Sequence, residues 1–229
     1  MNRLIGAEWR VLMKRGSARG MLLISALIPA LVTVILGFAS SSDIAFNGQP
    51  IGETVSFSGP HAAALSLRAR HAIFLPMFIL FVTGTSFASE RGNQMLRERL
   101  VRPVSRDSML VAKFFSILFL CSLSLLINLV VAILIGTPWM GTEGPWSSML
   151  LGHALSVCTD IGLISLGLLL STVFRTGAMV VVSGLLIFVT DQGISAGLFM
   201  LGIFGVQTTS SVPMFLPSTG WNVWSAMMG

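Results

Sequence analysis

Charge is what this sequence has least of. Asp, Glu, Lys and Arg make up 10% of its 229 residues, against about 25% in an ordinary soluble domain. Cysteine is nearly absent as well: Cys121 and Cys158 form no CxxC and both fall within apolar segments. That excludes a disulfide framework and predicts two small buried hydrophobes. No Gly-x-x-x-x-Gly-Lys-Ser/Thr sequence occurs, so the chain cannot cradle ATP phosphates itself. Internal repeats and low-complexity tracts are also missing.

What is present is hydrocarbon. Hydrophobic residues make up 54% and the mean hydropathy is +0.86. Several apolar runs reach the roughly 18 residues needed to cross about 30 Å of bilayer core. The class is all-α: a polytopic integral membrane helix bundle of about six transmembrane helices, five distinct and a sixth ambiguous. The net charge of +5 reads as topology. Arg3, Arg10, Lys14, Arg15 and Arg19 precede the first apolar run. Arg91, Arg97, Arg99, Arg102, Arg106 and Lys113 lie between the second and third, and Arg175 between the fourth and fifth. Only Arg68 and Arg70 fall elsewhere. Positive residues in alternate loops put the N-terminus and every second loop in the cytoplasm. No basic folded module exists to serve as a nucleic-acid footprint.

Along the chain, residues 1–19 read as an interfacial amphipathic helix, with Leu4, Ile5, Trp9, Leu12 and Met13 on one face. The first span is 20–39. Gly37-Phe38-Ala39 loosely fits a cleavage site, but the run exceeds a signal peptide's usual h-region and more spans follow. An outward segment follows to about residue 70, rich in Ser, Gly and Pro, and its end "HAAALSLRARH" predicts a short helix at the outer surface. Further spans are expected at 72–88, 111–136, 149–174 and 177–199, with a cytoplasmic loop at 89–110. Trp139 and Trp146 of the short outer loop "TPWMGTEGPW" suit the headgroup belt. From 177 to 206 the apolar region is interrupted by Asp191-Gln192-Gly193. It predicts one long span, or a span followed by a re-entrant piece, and leaves 200–229 unassigned. The whole reads as a single transmembrane domain over 1–229.

The loop "SERGNQMLRERLVRPVSRDSM" concentrates the charge. It predicts a short amphipathic helix parallel to the membrane, broken near Pro103 and then restarted. Ser105 is placed to cap the restarted helix, with Asp107 in its favourable first turn. A topology anchor would explain the arginines alone. It would not explain the Leu96 and Leu100 stripe, the glutamates or the proline-punctuated restart.

This loop resembles the one between the second and third spans of type-two ABC transporter permeases (ABC-2-type, exporter-like). That family shows a glutamate near the end of the second span, a leucine-rich helix, Pro-Val-Ser-Arg, and Gly-Lys opening the third span. Here stand Glu90, Leu96, Leu100, Arg102-Pro103-Val104-Ser105-Arg106 and Lys113. Departures are Gln94 and Met95 for Gly-Thr, Arg97 for the second glutamate, and Ala112 for the glycine before the lysine. The resemblance implies a coupling helix seated in a separate ABC ATPase subunit. Its contacts would fall on Glu90, Leu96, Arg97, Glu98, Leu100, Arg102, Pro103, Val104, Ser105, Arg106 and Lys113. It further implies a second permease subunit (a homodimer), and ATP and Mg on the ATPase partner with no cofactor bound by this chain. Export of an amphipathic or hydrophobic substrate across the cytoplasmic membrane follows from it too. The alternative is a small membrane scaffold or channel subunit without ATP coupling.

Two acids interrupt the apolar runs, Asp160 and Asp191. A mid-membrane aspartate costs about 2.5–3.5 kcal/mol on the insertion scale, which the surrounding aliphatics outweigh. Such acids face a bundle interior or a cavity. Asp160 and Asp191 are therefore candidate pathway residues, and a local hydrogen bond to Thr159, His153 or Ser165 is the competing reading of Asp160. A carboxylate pair could also run acid–base hydrolysis, but "CTDIG" and "VTDQG" lack the Gly-x-Gly-Asp of intramembrane aspartyl proteases. His61, His71 and 13 methionines fit no metal-ligand spacing. Gly193 and Gly197 form a GxxxG, a weak close-packing signal.

Overall fold

The computed structural model describes residues 2–41, 45–46, 49–50, 58–88 and 105–203. Nearly all of these are helical. Helix α1 (Asn2–Lys14) is followed by α2 (Gly16–Ser41). A two-residue antiparallel pair, β1 (Ala45–Phe46) and β2 (Gln49–Pro50), is the exception to the all-α expectation. Helix α3 (Gly59–Ala69) runs through a π-helical turn (Arg70–Phe74) into α4 (Leu75–Thr83), which ends in a second π turn (Gly84–Ala88). Then come α5 (Arg106–Met140), α6 (Trp146–Val173) and α7 (Gly177–Ile203).

Bilayer-exposed helices reverse the soluble pattern, since lipid is as apolar as leucine and small residues allow close packing inside. Helix α2 follows this rule. Its buried positions include Ala18, Met21, Ser25, Thr33 and Gly37, while Leu23, Leu27, Leu31, Ile35 and Phe38 point outward. Pro29 sits within α2 and frees a backbone carbonyl's usual partner. Its own carbonyl accepts from Thr33 Oγ1 at 2.6 Å. Helix α5 repeats the arrangement, burying Ala112, Ser116, Ser124, Asn128 and Ala132 and exposing Phe119, Leu126, Val130 and Leu134.

Two compact units emerge. One comprises Met1–Leu12, Pro76–Leu118 and Cys158–Gly229; the other comprises Met13–Leu75 and Phe119–Val157. In the first, glycines let helices meet. A Cβ on Gly84 would lie 2.9 Å from the Gly177 carbonyl oxygen, one on Gly184 would meet the Leu80 side chain, and one on Gly167 would collide with Thr83. In the second, α3 packs on α2 through a small-residue face. Gly59 donates its N–H to the Gly141 carbonyl at 3.1 Å, and Ala62, Ala63, Ser66 and Leu67 are all buried. Ala63, Ala132 and Met149 form an apolar centre, flanked by Leu129, Ile133 and Trp146. The turn between α5 and α6 uses Gly141 (φ +83°) and Gly144 (φ +135°), conformations that a side chain resists.

Several expectations change. The short surface helix at the end of the outward segment is a buried helix continuous with the following one, because its Gly, Ala and Ser face admits α2. Arg70, read as part of an outer loop, is consequently buried. Helix α5 continues past the expected end at 136, through Pro138 to Met140. Its Trp139 meets Phe38 edge-to-face at 5.3 Å. Cys121 is buried as expected, but Cys158 is exposed, on a face of α6 turned away from buried Ser156 and Asp160. Helix α7 passes unbroken through Asp191-Gln192-Gly193. Among the described residues three helices are long and apolar enough to cross a membrane, or four if Gly59–Ala72 and Leu75–Ala88 make one broken span. A shorter apolar helix covers Gly177–Asp191.

Candidate functional site: the Lys113 junction

The charged loop lies between two described ends, the π turn at Gly84–Ala88 and Ser105 at the start of α5. Residues 89–104, and with them Glu90, Leu96, Arg97, Glu98, Leu100, Arg102, Pro103 and Val104, lie outside the described residues. At the downstream end the local chemistry is as the sequence predicts. The first N–H groups of a helix have no intrahelical acceptor. Ser105 Oγ accepts from the Ser108 N–H at 3.2 Å and sits 2.7 Å from Ser108 Oγ. Asp107 stands in the first turn, where a negative charge complements the helix dipole. Arg106 is the first residue of α5.

Two turns further on, Lys113 turns inward. Its side chain is 2% exposed, and Nζ donates to Glu8 Oε2 at 3.0 Å and to the Ser86 carbonyl at 2.9 Å. One ammonium thus ties three segments: α1, the π turn that enters the loop, and the helix that leaves it. A second contact repeats the register. Ser116, three residues after Lys113, donates to the carbonyl of Ile5, three residues before Glu8, at 3.3 Å, as well as to Ala112 at 2.8 Å. Leu12, Met109 and Ala112 are buried around this junction's helices. A buried charge pair of this kind fixes geometry because neither partner tolerates losing the other.

Glu8 escaped the sequence reading. Its position supplied a signal, because Ile5, Glu8, Leu12 share the apolar face assigned to α1. A carboxylate inside an apolar stripe calls for a cation, and Lys113 is that cation. Lys113 itself was assigned to contact a partner; the structure gives it an internal role at the base of the loop.

The two intramembrane acids belong to the same unit. Asp160 on α6 is 1% exposed and Asp191 on α7 is also buried. Of the neighbours expected near Asp160, Ser165 Oγ donates to the Ile161 carbonyl and His153 Nδ1 to the Met149 carbonyl. His61 Nδ1 lies 2.7 Å from Ser58 Oγ, and His71 Nδ1 donates to the Leu67 carbonyl at 3.0 Å. Among the described residues no group of three or more His, Cys, Asp or Glu is placed to hold a metal ion.

Comparison with known families gives one finding. The family model described as ABC-2 family transporter protein matches residues 5–189, from within α1 to within α7. No curated protein and no solved structure matches the chain.

Proposed function

Because the chain belongs to the ABC-2 transporter family, a family of multi-pass membrane proteins that are transporter components and not enzymes, we propose that it is the permease subunit of an ATP-driven transporter. It exports an amphipathic or hydrophobic substrate through a homodimer in the cytoplasmic membrane, with its N-terminus in the cytoplasm. A separate ATPase subunit carries ATP and Mg. The loop at 89–110 seats in that subunit and transmits its closure to the spans.

The observation that supports this reading best is the Lys113 junction. Both ends of the loop meet at one ammonium, together with α1. A push on the loop at this point would reach α5 and α4 as a unit rather than bending a slack connection. Helix α7, with 27 residues, is about 40 Å long at 1.5 Å per residue, more than the bilayer core. It therefore serves as a fifth span beside α2, the α3–α4 pair, α5 and α6. Asp160 and Asp191 are pathway residues in this scheme, as acids buried within spans tend to be.

The test is copurification in a mild detergent with native partners, followed by ATPase measurement. A nucleotide-hydrolysing subunit retained by the intact chain, and lost on replacing Arg97 and Glu98 by Ala together, is the expected result. Failure to retain any ATPase under conditions that preserve such complexes would leave the scaffold or channel reading in its place.

A further inference from the structure

An amphipathic helix at a membrane surface ordinarily turns its apolar face to the lipid. In α1 that face is given to the protein instead. Leu12 is buried, Glu8 Oε2 accepts from Lys113 Nζ at 3.0 Å, and the Ile5 carbonyl accepts from Ser116 Oγ at 3.3 Å. Ile5, Glu8 and Leu12 recur at the three- and four-residue spacing of one helix face. The membrane is therefore met by what α1 leaves outside, and that face is cationic. Arg3, Ala7, Arg10 and Val11 are exposed at the same kind of spacing, and Lys14 continues the row to the end of the helix.

Arg10 is held in position on this face. Its Nε donates to the Gly6 carbonyl at 3.2 Å, which draws the guanidinium back along the helix toward Arg3. Nothing stands within 4 Å of where a Cβ on Gly6 would be, so the helix surface beside the two arginines is open. Among the described residues no carboxylate pairs with Arg3 or Arg10. The single carboxylate of α1, Glu8, is on the opposite side and bound to Lys113. Helix α2, an apolar span, begins at Gly16, one residue beyond the end of α1, which puts α1 at headgroup level. A planar guanidinium matches phosphate oxygens in bidentate fashion, and basic segments next to a span are drawn to anionic lipid. With no carboxylate on this face to receive the ammonium of a zwitterionic headgroup, the face selects for lipids of net negative charge.

We propose that Arg3 and Arg10 form a binding surface for the phosphate headgroups of anionic phospholipids. The contact does not depend on ATP coupling, so its failure would leave the permease reading untouched.

The full chain, purified in an uncharged maltoside detergent, tests it by titration with phosphatidylglycerol and with phosphatidylcholine of identical acyl chains, bound lipids being counted by native mass spectrometry. Tighter binding of phosphatidylglycerol is expected. Replacing Arg3 and Arg10 together by Gln should weaken phosphatidylglycerol binding about twentyfold, roughly fivefold for each cation at an anionic surface, and leave phosphatidylcholine binding as it was. Arg97→Gln with Arg99→Gln removes the same charge from the loop and should keep the preference. Equal affinity for the two lipids on the unmodified chain would overturn the proposal even if a variant does not fold. So would an undiminished preference in the α1 variant, or an equal loss in the loop variant, which would reduce the effect to net charge. An α1 variant that keeps its lipid preference but no longer retains a copurifying ATPase subunit would assign this face to a protein partner and overturn the proposal as well.

Discussion

Lys113 and Arg70 are both cations buried inside a bundle of apolar helices, and the hydrogen bonds seen around them join different parts of the chain. Lys113 faces a carboxylate, Glu8, and a backbone carbonyl. Its charge is matched by opposite charge at hydrogen-bond distance, and it joins segments far apart in sequence. Arg70 donates to a serine hydroxyl and a carbonyl beside a histidine, and one helical turn away Ser66 donates to Asn128 Oδ1 between the same two helices. A charge closed by its partner is suited to holding segments together. Hydrogen bonds from a guanidinium and a serine to a carbonyl, a hydroxyl and an asparagine of the same neighbouring helix are suited to fixing the register of two packed helices. The chain uses the first arrangement at the mouth of its loop and the second within its helical interior.

The sharpest way to break this contrast is at Lys113. Lys113→Met leaves Glu8 buried and uncompensated, and stability should fall by about 3–5 kcal/mol. Adding Glu8→Leu removes the stranded charge, so the double variant should recover most of that loss. Chemical unfolding of the single and double variants in detergent checks it, and additive losses would mean the two residues do not form a pair. Next comes Gly84→Ala, in the π turn at the other end of the loop. Its new Cβ would press on the Gly177 backbone, and overpacking of this kind costs about 1–3 kcal/mol. A Tm equal to wild type would show that α7 is not held against this turn. Ser105→Ala removes the N-cap of α5 and should lower stability by about 1 kcal/mol. ATPase stimulation measured in the same variant would show whether the cap matters beyond stability. The smallest effect belongs to the other cation's cluster: Asn128→Leu should stay within about 1 kcal/mol of wild type. A large loss there would show that the Ser66–Asn128 bond holds its helices as firmly as the Lys113 pair holds its own.

Much of the helical layout was legible because its causes are local. Long apolar runs predict helices, and Ser105 followed by Asp107 predicts where α5 begins, which its hydrogen bond to Ser108 bears out. Glu8 was legible in principle, as a carboxylate on an apolar face, but its partner lies 105 residues away and no local pattern connects the two. Arg70 was misplaced for a related reason. A stretch of Ser, Gly, Ala and Arg looks like a surface loop by composition, and small residues acquire a different meaning once a neighbouring helix is available to pack on them. Cys158 differs from Cys121 only by which face of its helix it occupies, and in an apolar sequence periodicity carries little information about faces.

By itself, then, the sequence determined the class of molecule, most of its helices, the capped start of α5 and the family of the chain. These rest on hydropathy, on helix propensity and on hydrogen bonds within one turn, and all act between residues close along the chain. Only the tertiary structure decided that Lys113 closes on Glu8, that α3 is buried and that Arg70, Ser124 and Asn128 share an interior. In a bilayer-facing bundle the hydrophobic effect does not sort faces, because lipid and leucine are equally apolar. Close packing of small residues and the pairing of buried polar groups do the sorting, and both require the partner helix to be in place.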